Sequence, residues 1–124
     1  MIGESVLERH SAELQRIGDA VVRALPKGWE RAWLQVEAEP SAVSVACFYT
    51  GAGASKPTHA ALPDKISMLF HDLHRAAGAD AWSQLTFAVD RSGKFNADFG
   101  YEPVPTEGMY ERRLAWKDKV LPKL

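Results

Sequence analysis

Trp82–Glu102 reads WSQLTFAVDRSGKFNADFGYE, the pattern of two strands joined at a tight corner. Leu85, Phe87 and Val89 alternate with polar or small residues, and Phe95, Ala97, Phe99 and Tyr101 do the same. A period of two places each set on one face of a pleated sheet. Between them lies Asp90-Arg91-Ser92-Gly93, where the glycine supplies the positive φ that a short hairpin corner requires. The stretch therefore predicts an antiparallel hairpin with one apolar face.

A second hairpin lies upstream. Between Trp29 and Ala38, residues Ala32, Leu34, Val36 and Ala38 share a face, and Trp33, Gln35 and Glu37 share the other. Glu39-Pro40-Ser41 has turn chemistry, and Ala42–Thr50 follows as a strand. There Val43, Val45, Cys47 and Tyr49 alternate with Ala42, Ser44, Ala46 and Phe48. Both faces are apolar or small, which predicts an interior strand covered on both sides.

Three helices frame the hairpins. The first opens on a capping box, Ser5 with Glu8, and carries Leu7, Leu14, Ile17, Val21 and Leu25 as one stripe before Pro26 and Gly28 end it. The second starts near Pro63-Asp64, with Ile66, Leu69, Phe70, Leu73 and Ala77 in register and Gly78 as its left-handed terminal residue. A polar loop, Pro103–Gly108, leads to a third helix over Met109–Lys119, and Gly51–Leu62 reads as a loop. The order α-β-β-α-β-β-α, with paired strands and no dividing linker, predicts one α+β domain over residues 1–124 with a mainly antiparallel sheet.

The chain has 124 residues, 46% of them hydrophobic and 25% charged, which are ordinary globular values. Fifteen basic against sixteen acidic side chains leave a net charge of −1, too balanced for a general nucleic-acid binder. The segment MIGESVLERHS lacks the basic and apolar regions of a signal peptide, and no apolar run approaches the roughly 20 residues that span a bilayer. A soluble, cytoplasmic monomer that binds no membrane is expected. The lone Cys47 excludes an internal disulfide and reads as a small buried hydrophobe.

Candidate chemistry is sparse. His71-Asp72-Leu73-His74 puts two histidines three apart on a helix, with Asp64 or Asp72 as an oxygen donor, but His10 and His59 stand apart from them. Gly51–Thr58, GAGASKPT, has neither the P-loop nor the dinucleotide-binding spacing and reads as a flexible connection. No G-x-S-x-G elbow occurs. Glu37 with Glu39, or Asp98 with Glu102, would pair carboxylates, yet Glu37 and Asp98 point away from the core face and are expected to be solvated with ordinary acidity. Arg112, Arg113, Lys117, Lys119 and Lys123, offset by Glu107, Glu111 and Asp118, read as a solvated helix face. Leu114 and Trp116 are left as that helix's buried side, with Trp82 as a neighbour. The chain is not expected to be an enzyme or to need a cofactor.

An ordered set of features resembles the YezG-like immunity proteins. It comprises Pro26-x-x-Trp29, Trp82 before the third strand, the turn Ser92-Gly93-Lys94-Phe95, the acidic-aromatic stretch Asp98 to Tyr101, then Glu111-Arg112 with Trp116 four residues beyond the arginine. The chain differs in its Ala- and Gly-rich middle, Gly51–Ala61, and in its near-neutral charge. The resemblance implies a catalytically inert protein that binds the C-terminal domain of a secreted polymorphic toxin, frequently a nuclease, without touching nucleic acid itself. The expected binding surface is the sheet face opposite the core: Trp33, Gln35, Glu37, Phe48, Thr86, Asn96 and Asp98, extended by Tyr101, Glu102 and Glu107. The competing possibility is that the C-terminal helix covers that face and makes core of Trp33 and Phe48. Two other functions fit the residues less closely, a secretion chaperone for an exported effector and a small metal-dependent enzyme using His71 and His74.

Overall fold

β1 (Trp29–Glu39) is the middle strand of a five-stranded sheet in the computed structural model, which describes residues 10–39, 41–51, 56–78, 81–105 and 107–121. It pairs with β2 (Ala42–Gly51) on one side and β4 (Gln84–Asp90) on the other. β3 (Thr58–Ala60) borders β2, and β5 (Phe95–Gly100) borders β4. Every pairing is antiparallel. Three helices complete the fold: α1 (Ser11–Ala24), α2 (Asp64–Ala77) and α3 (Met109–Val120). The class and the order of the long elements are those expected, and β2 is interior.

One element was not expected. β3 lies inside the stretch read as a loop, with Cys47 opposite Ala60, Phe48 opposite His59 and Tyr49 opposite Thr58. Three residues are too few to show a period of two, so only the unpaired edge of β2 reveals them. The proposed capping box, Ser5 with Glu8, and Leu7 lie outside the described residues.

α1 and α2 cover one sheet face. Leu14, Ile17 and Val21 from α1, and Ile66, Phe70 and Leu73 from α2, are buried against Ala32, Leu34, Val36, Leu85 and Phe87. Each fully buried large side chain contributes about 1.5–3 kcal/mol of transfer free energy. Trp29 joins this core out of turn, because a register irregularity between Trp29 and Arg31 shifts the alternation at the start of β1. Cys47 lies in the same core, 1% exposed, and burial pushes its thiol up to about 12. The hairpin registers as its pattern demands: Leu85 opposite Phe99, Phe87 opposite Ala97, Val89 opposite Phe95.

The corner is held by its own side chains. Gly93 has φ 93°, and its amide donates to the Asp90 carbonyl at 2.9 Å. The Asp90 carboxylate accepts from the Ser92 hydroxyl at 2.6 Å, the Ser92 amide at 2.9 Å and the Lys94 amide at 3.2 Å. These bonds, the Ser92 hydroxyl foremost, hold the Asp90 carboxyl below the usual carboxylate range.

Gly18 marks where α1 crosses the sheet, yet a Cβ there would meet Phe87 at 3.6 Å and Phe95 at 3.9 Å, ordinary contact distances. Gly18→Ala is therefore expected to stabilise the fold by about 0.5–1 kcal/mol through helix propensity. A thermal melt checks this, and a lowered Tm would mean that the helix–sheet spacing tolerates no added carbon.

Candidate functional site

The second sheet face carries Trp33 on β1 and Ala46 and Phe48 on β2, and α3 lies over it. Trp116 and Val120 from α3, with Leu121 just beyond, close a small second core around those residues and Ala88. Trp116 stands 5.9 Å from Phe48, centroid to centroid, and its indole N–H donates to Thr86 Oγ1 at 2.9 Å. No residue of α3 itself is fully buried. Apolar contact alone therefore fixes it weakly, and polar bonds supply the rest.

Arg112 is the centre of that attachment. Its Nε donates to Glu37 Oε2 at 2.8 Å and its Nη2 to Glu37 Oε1 at 2.9 Å, a two-pronged fork. Nη1 donates to the Glu107 carbonyl at 2.6 Å, and Nη2 also donates to the Pro105 carbonyl at 3.0 Å. One guanidinium thus ties together β1, the loop before α3 and the first turn of α3. The adjacent carboxylate raises the Arg112 pKa, chiefly through these bonds. Arg113 continues the line: Nε donates to Gln35 Oε1 at 2.8 Å and Nη2 to Ser44 Oγ at 3.0 Å. Lys117 places its ammonium 5.0 Å from the centre of the Phe48 ring.

Several sequence expectations change here. Trp33, Gln35, Glu37 and Phe48 are 6% to 8% exposed, so they form the floor under α3 rather than an open surface. Glu37 is not solvated, because Arg112 has taken it. Arg112 and Arg113 are not a solvated cationic face, because both reach the sheet. Leu114 is 45% exposed, and Trp82 sits on the opposite side of the sheet against His74 and Phe99. Thr86 is partly buried beneath Trp116, whereas Asn96, Asp98, Tyr101, Glu102 and Glu107 remain exposed. The structure thus splits the predicted surface into a covered part and an open rim. A usable signal was the four-residue step from Arg112 to Trp116, which puts both side chains on one face of a helix.

Beside α3 an open cleft of about 390 Å³ runs along β4 and β5, with Gln84, Thr86, Asp98, Trp116 and Lys119 in its walls. Of its polar groups, Thr86 accepts from Trp116 and Glu37 from Arg112. His74 is buried, edge-on to Trp82 at 5.3 Å, and burial together with nearby His71 lowers its pKa from 6.5, against a backbone hydrogen bond at Trp82. Among the described residues no three His, Cys, Asp or Glu side chains gather closely enough to hold a metal ion. No helix among them is long and apolar enough to cross a membrane.

A family profile described as Immunity protein YezG-like matches residues 56–124, which include β3, α2, β4, β5 and α3. The chain is also 35% identical over 72 residues to Immunity protein YezG of Bacillus subtilis strain 168. That match covers 54% of this chain and 48% of the relative, so the chain spans about half the length of the curated protein it resembles.

Arg112→Lys keeps the charge but loses the fork and the two carbonyl bonds. It is expected to lower Tm by roughly 5 °C, with Arg112→Ala lower still because Glu37 is left buried and unpaired. A Lys variant that melts like the parent would show that charge alone holds α3. His74 supplies a pH test. Its lowered folded pKa means that its contribution to stability is present above about pH 6.5 and is lost as pH falls through the folded value. The parent should therefore lose more Tm between pH 7.5 and pH 5 than His74→Leu does. Equal losses would remove His74 from the acid response.

Proposed function

The chain belongs to the YezG-like immunity family, and on that footing we propose that it neutralises a cognate toxin domain by binding it and blocking its working surface. The observation that carries this reading is how the polar groups of the covered face are used. Glu37 bonds Arg112, Gln35 bonds Arg113, and Thr86 bonds Trp116. Side chains that would be the first candidates for chemistry are spent on fixing a helix, leaving a rigid exterior as the functional part. The toxin is the C-terminal domain of a secreted protein deployed in competition between bacteria, and a nuclease is the favoured class. A nuclease binds phosphates through a basic cleft, which suits exposed carboxylates such as Glu102 and Glu107. Charge complementarity would speed encounter, and buried aromatic anchors would slow release. The chain acts on the toxin inside the producing cell, in the cytoplasm, as a monomer forming a one-to-one complex.

The test is co-expression with candidate toxin domains, taken first from any large secreted protein encoded next to this chain's gene. Rescue of growth, a one-to-one complex in calorimetry and an association rate that falls with added salt are the expected results. Growth arrest in the presence of the chain, with no complex detected, would remove the proposal.

A further inference from the structure

We infer that the outward face of α3 is the toxin-docking surface, an apolar anchor rimmed with acids that fits a basic protein surface containing an apolar recess. This rests on the toxin-binding reading above and says where the contact lies. At about 100° per residue, the helix turns Arg112, Arg113, Trp116 and Lys117 towards the sheet. The side away from the sheet then carries Glu111, Leu114 and Asp118, with Tyr110 at its edge two turns before Lys117, and all four are exposed.

The apolar part of that face is conspicuous. The exposed large hydrophobic residues among those described are Met68, Tyr101, Met109, Tyr110 and Leu114, so all but Met68 fall within residues 101–114. Tyr110 is 70% exposed and Leu114 45%, one helical turn apart on one side. Neither contributes to the core, and a clustered exposed apolar patch rimmed by polar groups is the usual mark of a contact surface. A tyrosine also anchors interfaces at small entropic cost, having a rigid ring and one polar tip.

Charge points the same way. By count the C-terminal segment is basic, but Arg112 is neutralised on Glu37, while Arg113 and Lys117 keep their charge and turn it towards the sheet, onto Gln35, Ser44 and Phe48. Glu107 and Glu111 stay on the outside with the apolar pair, and the exposed cation of this helix, Lys119, lies towards its far end. A second copy of this chain would set acid against acid across a two-fold axis, whereas a basic partner is complementary. The polar clamp also holds the helix in place before contact, so little ordering remains to be done on binding.

The experiment measures affinity of the chain for the toxin domain it neutralises in the co-expression test. Tyr110→Ala with Leu114→Ala is expected to weaken Kd by about thirtyfold or more, with an unchanged melting curve because both side chains are exposed. Glu111→Lys should slow association several-fold at low salt and lose its effect as salt rises. Asp98→Lys on β5 serves as the comparison and should change Kd by less than about threefold. Loss of binding at Asp98→Lys with normal binding by the Tyr110/Leu114 variant would overturn this inference and leave the immunity function standing. A dimer of the chain alone, broken by the same double change, would overturn it in favour of self-association. No binding by the parent chain would remove the function and this surface together.

Discussion

A sheet with Leu34 and Phe87 on one face and Trp33 and Phe48 on the other must be shielded from water twice. The first shield is conventional, two amphipathic helices whose apolar stripes meet the strands. The second rests on the fork between Arg112 and Glu37. A carboxylate on a covered sheet face is unfavourable unless a partner arrives with the covering element, and Arg112 arrives on α3. Once that bond forms, Arg113 and Trp116 fall on Gln35, Ser44 and Thr86 by helical geometry alone. The loop carbonyls of Pro105 and Glu107 are drawn to the same guanidinium, which fixes the helix entry as well.

The two shields differ in kind. α1 and α2 are held by non-directional burial, which tolerates small shifts and supplies most of the stabilisation. α3 is held by directional bonds, which contribute less to stability but set its rotation about its own axis. That rotation decides which residues of α3 face the sheet and which face water. A helix rotated by half a turn would expose two arginines and a tryptophan and bury a tyrosine among acids.

Family membership and geometry bear on the same segment. The matched residues 56–124 contain the β4–β5 hairpin, Arg112 and Trp116, while Glu37, which receives the arginine, lies upstream of them. The C-terminal half thus depends on the first hairpin for its seating.

Local periodicity and turn chemistry were enough to read the two hairpins, the corner at Gly93 and the apolar stripes of α1 and α2. Each of these depends on residues close together in the chain, where a period of two or 3.6 leaves a direct trace. Periodicity also separated the residues of the covered face from those of the main core. It did not reveal which of them would meet water, because that depends on bonds such as Arg112 to Glu37, 75 residues apart. An arginine-rich helix face reads as solvated until a carboxylate is found beneath it. β3 escaped for a related reason: only the open edge of β2 makes its three residues a strand. The tertiary structure decided the rest by bringing distant polar groups together, drawing two arginines of a basic segment down onto the sheet.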